Sequence, residues 1–287
     1  MRPNVLLQSE SQLQSVKAGL TYLKTAAERP YNYAYEPPNG ETWQNYESEV
    51  RATRIADARA LPSRALLEVE GFELRDAPTA LVNFFDDEAI TQVYYTEAAE
   101  LALAVTGATR AYVFDHLVRK REAGRAPLAF GRSGSSKKPS ANGRIHNDYT
   151  EDSGRRRLEL VLEDARAVAA VERYSIVNIW RSIKGPILDT PLAVCDARTI
   201  SAQDLVCSEV RYAARTGEIY LVRYAARHAW SYFSAMDRHE ALIFKQYDSQ
   251  VSGVSRFVPH AAFDLPHTPA GAPLRESIEV RCVVTYE

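Results

Sequence analysis

The residues best suited to chemistry lie in two short stretches far apart in the chain. The first reads Arg144-Ile145-His146-Asn147-Asp148-Tyr149-Thr150. On an extended strand, residues two apart point to one face, so His146 and Asp148 aim an imidazole and a carboxylate at one point. That pair is two thirds of the two-histidine, one-carboxylate set that binds non-haem Fe(II) with open coordination positions. Alone it is weak, because a surface strand with two solvated polar residues gives the same pattern. The second stretch begins at His260 and continues, one loop later, into Arg275-Glu276-Ser277 at the head of a β-branched strand. Arg275 and Ser277 share a face by the same period of two. A planar guanidinium fork beside a hydroxyl suits one end of a dicarboxylate, because the fork meets a carboxylate with two parallel hydrogen bonds.

The order His-x-Asp, a distant His, then Arg-x-Ser resembles the signature of Fe(II)/2-oxoglutarate oxygenases. The resemblance extends to Asn178-Ile179-Trp180-Arg181, to Gly185-Pro186, to His228-Ala229-Trp230, to Tyr247-Asp248-Ser249 and to the run Arg275 to Arg281. These are similar to the AsaB-like hydroxylase/desaturase family, which includes CmcJ-type proteins and a fungal gibberellin desaturase. The similarity runs from about Asp57 to the end of the chain. It implies a double-stranded β-helix, the jelly-roll barrel, with Fe(II), 2-oxoglutarate and O2 as the reacting set. His146, Asp148 and His260 would be the iron ligands, and Arg275 with Ser277 would bind the far carboxylate of 2-oxoglutarate. The reaction implied is oxidation of an unactivated C–H bond in a small secondary-metabolite or amino-acid-like substrate, ending in hydroxylation, desaturation or oxidative cyclisation.

His228 competes with His260 for the third ligand position. His260 is preferred because it lies 15 residues before Arg275, a spacing that lets two neighbouring strands join through a loop. Candidate pocket residues are Tyr149, Asn178, Trp180, Arg181, His228 and Tyr247. Arg181 falls between Ile179 and Ile183 on a strand face, where an unpartnered cation is costly, so it is expected either to reach an edge or, by preference, to meet an anion such as a substrate carboxylate. Two other classes fit the same ligands: a metal-dependent hydrolase or isomerase, and a jelly-roll binding protein with a vestigial site.

Composition bounds the rest. The chain has 287 residues, 46% hydrophobic and 25% charged, with 35 Lys and Arg against 37 Asp and Glu and a net charge of −2. That is ordinary globular composition, with no pull toward nucleic acid or an anionic membrane. Three scattered cysteines without a Cys-x-x-Cys pair argue against a cysteine zinc site and suit a reducing compartment. No apolar run matches a signal peptide or a membrane span, so a cytoplasmic protein acting on a small molecule is expected. Nothing bears on oligomeric state.

The elements that must position these residues are mainly strands with flanking helices, in a single domain. Residues 1–110 are expected as helical and strand elements packed on the barrel, and 111–287 as the jelly-roll core. Residues 1–56 carry weak helix and loop signals. Short strands are expected at 65–69, 72–74 and 80–84. Asp86 caps a helix that should end at Gly107. Residues 122–142, rich in Gly, Ser, Lys and Arg, read as a loop that could close over the metal. A helix follows at 153–172, its Arg155-Arg156-Arg157 run taken as a solvated face. Strands then recur to the end, the last with Ile278, Val280, Cys282 and Val284 on one face and Arg275, Ser277, Glu279 and Arg281 on the other.

Overall fold

A computed structural model describes residues 15–38, 40–123 and 142–287. Its strands are numbered β1 to β14 in chain order and form two sheets. The larger runs β1 (Ser15–Ala26), β3 (Tyr46–Asp57), β11 (Trp230–Tyr232), β8 (Leu192–Cys195), β13 (His260–Ala262), β6 (His146–Asn147), β10 (Thr216–Val222), β9 (Leu205–Arg211) and β2 (Tyr31–Tyr33). The smaller runs β4 (Phe72–Asp76), β12 (Glu240–Asp248), β7 (Arg173–Ser182), β14 (Glu276–Tyr286) and β5 (Arg110–Lys120). The strand pairs are antiparallel except β3 with β11 and β2 with β9. The two sheets make the jelly roll, and the interior between them holds the polar residues of interest. The expected loop at 122–142 falls almost wholly outside the described residues.

β14 illustrates how the sequence divides inside from outside. Ile278, Val280, Cys282 and Val284 pack outward against Tyr94, Ala98 and Ala102. Each fully buried aliphatic of this size contributes about 1.5–3 kcal/mol. The covering helix begins after Asp86, whose carboxylate accepts the N–H of Glu88 and Ala89. It passes through a π-wound turn at Ile90–Tyr94 into α1 (Tyr95–Thr106). It stops at Gly107, where φ is +67° and the N–H donates to Leu103. The opposite face of β14 carries Ser277, Glu279 and Arg281 into the barrel. Two further helices, α2 (Glu151–Leu162) and α3 (Ala165–Ala170), follow the His-x-Asp stretch directly.

Three local expectations differ from the structure. Residues 15–57 hold the two longest strands, β1 and β3, which pair with each other at the edge of the larger sheet. Residues 65–69 form a turn, with the N–H groups of Val69, Glu70 and Gly71 all returning to Leu66. Residues 80–84 form no strand; Leu81 and Phe84 instead plug into the cluster around Tyr94.

Candidate metal centre

His146 and His260 stand opposite each other on the adjacent strands β6 and β13. Paired residues project to the same face, and the two rings lie 4.3 Å apart between centroids. Asp148 follows β6 by one residue and turns its carboxylate to the same point, with Oδ1 3.3 Å from His146 Nε2. One donor atom from each of His146, Asp148 and His260 lies within 4.8 Å of the others. Asn147, between His146 and Asp148, points the other way. It is fully buried, donates to the carbonyls of Tyr149 and Gln246, and accepts from Val258 N–H. That lock fixes the register of β6, a strand of only two residues.

Each donor is oriented by a neighbour. His146 Nδ1 meets the Arg144 carbonyl at 2.8 Å, and His260 Nδ1 meets the Val258 carbonyl at 3.3 Å. A carbonyl only accepts, so Nδ1 carries a proton in both rings and Nε2 is the nitrogen turned to the shared point. Burial, with His146 alongside, pushes His260 down to about 3, so its ring is neutral and fit for ligation. Asp148 is held at three points. Its backbone N–H donates to Gln246 Oε1 at 2.7 Å, and Oδ2 accepts from Asn178 Nδ2 at 2.8 Å and from Arg281 Nε at 3.1 Å. Burial alone would raise this carboxyl; the Arg281 guanidinium holds it well below the usual range. With Oδ2 occupied, Oδ1 is the oxygen turned to the histidines.

A small cavity lies beside the two histidines, lined by Asn142, Leu192, Arg119, Arg275 and Glu279 among others. Arg275 is 3% exposed, which decides its role. Its Nε donates to Ser277 Oγ at 3.0 Å, its Nη1 to the Thr190 carbonyl at 3.1 Å, and its guanidinium lies 4.9 Å from the Trp180 ring centre. It forms no ion pair with a carboxylate among the described residues. Burial, together with the nearby charge of Arg119, pushes it down to about 9, so it remains cationic at neutral pH. A buried cation held by neutral groups is receptive to an entering carboxylate. Ser277 Oγ, already accepting from Arg275, has its own proton to donate. On the other side of Asp148 a second cavity of about 330 Å³ opens between α2 and the β9–β10 hairpin, with Tyr149 and Arg281 in its wall.

Known proteins agree with this chemistry. A family profile described as "Oxidoreductase/YMDC permease-like domain" matches residues 20–285. The hydroxylase/desaturase CTB9 of Cercospora beticola is 32% identical over 92% of this chain and 90% of its own. The Fe(II)/2-oxoglutarate-dependent dioxygenase nvfI of Aspergillus novofumigatus is 30% identical over 88% of this chain and 89% of its own. The chain belongs to the Fe(II)/2-oxoglutarate-dependent hydroxylase/desaturase family. A solved structure of the iron and alpha-ketoglutarate-dependent endoperoxidase NvfI superposes with a TM-score of 0.84 at 27% identity, covering 96% of this chain and 99% of that one. The oxygenase therefore uses Fe(II), 2-oxoglutarate and O2, as do these relatives in secondary metabolism. Among the described residues, no helix is long and apolar enough to cross a membrane.

Of the expected pocket residues, this oxygenase brings Tyr149, Asn178 and Trp180 to the centre and leaves three outside. Asn178 holds Asp148, and Trp180 backs Arg275. Arg181 is a correction. It faces outward with Ile179, its guanidinium 4.9 Å from the Tyr94 ring centre, and donates to the carbonyls of Ala77 and Arg238. Backbone carbonyls and a ring face hold it, with no carboxylate beside it among the described residues and Nε left without an acceptor. His228 is a second. Its nitrogens face Tyr22 Oη at 3.3 Å and Asp204 Oδ2 at 3.1 Å, away from the triad. Tyr247 is a third. It packs on Tyr174 and Gly154, and its hydroxyl donates to Glu151 at 3.3 Å. Arg281 and Gln246, which orient Asp148, escaped the sequence reading. Arg281's place on the polar face of the last strand was the available signal.

Proposed function

We propose that His146, Asp148 and His260 hold the Fe(II) of this oxygenase and that Arg275 and Ser277 bind the distal carboxylate of 2-oxoglutarate. The carrying observation is convergence. One donor atom each from two imidazoles and one carboxylate converge beside a buried guanidinium that has no carboxylate of its own. This donor set fits a first-row divalent metal with open positions. Bound there, iron with 2-oxoglutarate and O2 supplies the oxidising power for C–H cleavage, with succinate and CO2 as coproducts. The chain's residues supply the geometry. The Arg144 and Val258 carbonyls fix the two imidazole tautomers, Asn178 and Arg281 fix which Asp148 oxygen faces inward, and Trp180 and Leu192 keep water from the cosubstrate side. The substrate, a small molecule, enters by the cavity above Asp148. The whole chain acts as one oxygenase domain, supported by strands before residue 110 that belong to both sheets. Three free cysteines suit the reducing cytoplasm.

The test is metal content after anaerobic loading and desalting, together with 2-oxoglutarate-dependent succinate release. About one iron per chain and cosubstrate turnover are expected. Retention of that iron by His146→Ala would contradict the ligand assignment.

A further inference from the structure

We propose that the substrate is an organic anion whose acidic group docks between α2 and the β9–β10 hairpin. The inference rests on the reading of the cavity above Asp148 as the substrate entrance. Ser153, Arg156, Arg157 and Leu160 all line that cavity. They are spaced i, i+3, i+4, i+7, so a single stripe of α2 faces it. Arg215, from the turn before β10, faces it from the opposite wall. The Arg155-Arg156-Arg157 run, expected as a solvated face, therefore places two of its three cations over the active centre.

These cations have no anionic partner, whereas the acids around them do. Neither Arg156, Arg157 nor Arg215 forms an ion pair among the described residues; Arg157 covers the Phe114 ring at 4.6 Å and Arg215 the Tyr212 ring at 4.2 Å. Arg157 Nε is buried and has no acceptor. An unmade buried donor is a cost that an incoming oxygen removes. Asp148 is satisfied by Asn178 and Arg281, Asp115 takes Arg281 Nη1 at 2.8 Å, and Glu218 accepts from Arg29 and Thr150. The mouth therefore presents three arginines without an ion pair beside three acids that each have a partner, and that local excess of positive charge favours an anion. Arg157 and Asp148 line the same cavity, so an acid held by Arg157 leaves the rest of the molecule to reach toward Asp148. Carboxylates and phosphate monoesters share the required chemistry.

The test uses the iron–2-oxoglutarate holoenzyme with three probes below micelle-forming concentration: decanoate, decyl phosphate and methyl decanoate. Two readouts are taken, the anaerobic charge-transfer band of iron-bound 2-oxoglutarate and succinate release in air. At least one anion should perturb the band and accelerate succinate release where the methyl ester does not. The active anion identifies which acid the mouth prefers. In R157Q/R215Q the half-saturating concentration of that anion should rise about tenfold, the scale of two part-screened charge contacts. R157K/R215K should recover much of the loss. The band and the melting temperature, read in each variant, report whether iron, cosubstrate and fold are intact. Equal action of ester and anions, no response to any probe, or unchanged half-saturation in R157Q/R215Q overturns the proposal. Absence of the band in the parent protein instead sinks the Fe(II)/2-oxoglutarate site assignment, and this proposal with it.

Discussion

Among the described residues, the barrel contains two buried histidine–aspartate constellations, and they are built differently. At His146, Asp148 and His260, each ring spends one nitrogen on a backbone carbonyl and turns the other toward a shared point, where Asp148 also turns Oδ1. At His228 and Asp204 the ring turns no nitrogen toward a shared ligand point. Both nitrogens of His228 are engaged, and Asp204 accepts from Ser201 N–H, Arg227 and His228. Arg275 and Arg181 are both buried, and both are held by a backbone carbonyl and an aromatic ring; Arg275 lines the cavity beside the histidines, whereas Arg181 packs outward against Tyr94. Burial and residue type do not separate the two regions; convergence on a shared point beside a cavity does.

The largest effect that could break this contrast is at the metal. Asp148→Ala removes a ligand and strands Arg281. Iron affinity should fall by more than about a hundredfold, beyond the 10–100-fold typical of losing an outer partner. His228→Asn should keep its iron and instead lose about 1–3 kcal/mol of stability. Metal analysis and thermal melts separate the outcomes; iron loss in His228→Asn would erase the distinction. Next is the cosubstrate. Arg275→Ala should weaken 2-oxoglutarate binding by about thirty- to several-thousand-fold, the equivalent of about 2–5 kcal/mol, while iron remains. Arg275→Lys should also bind poorly, because a point charge cannot replace the fork. Arg181→Met should leave cosubstrate affinity within about twofold and act on stability alone. Calorimetric titration of each variant decides between them.

Smaller still is Arg281→Gln, which frees Asp148 Oδ2 to rotate. Iron affinity should drop about 10–100-fold with the fold intact, and an unchanged iron titration would remove Arg281 from the orienting set. The smallest effect is on pH. Burial lowers the His228 ring below 6.5 in the folded chain, against the opposing pull of Asp204. Below pH 6.5 the unfolded chain then binds a proton that the folded chain refuses, so this group makes stability fall on acidification until its folded value is passed. Denaturant melts between neutral pH and the mid-fives should show a steeper loss for the parent than for His228→Asn. Parallel curves would mean that His228 titrates normally.

Legibility followed locality. The His-x-Asp pair and the alternation of β14 were readable because a period of two is a property of the strand itself. The same period put Arg181 on the right face, between Ile179 and Ile183. What it met there depended on Tyr94, Ala77 and Arg238, which come from other elements, so carbonyls and a ring stand where an anion was expected. His228 and Tyr247 failed for the same reason. β1 and β3 were obscured because their burial is partial and a register shift at Leu23/Thr25 breaks the alternation. Arg281 was read as polar-face but not as a partner of Asp148, because that contact joins residues 133 positions apart.

The most direct test of the centre is anaerobic addition of Fe(II) and 2-oxoglutarate to the parent, Asp148→Ala, Arg275→Ala and His228→Asn, followed by visible absorption. A metal-to-ligand charge-transfer band should form in the parent and in His228→Asn, require far more 2-oxoglutarate in Arg275→Ala, and be absent in Asp148→Ala. A band of parental strength in Asp148→Ala, or its loss in His228→Asn, would place the iron elsewhere.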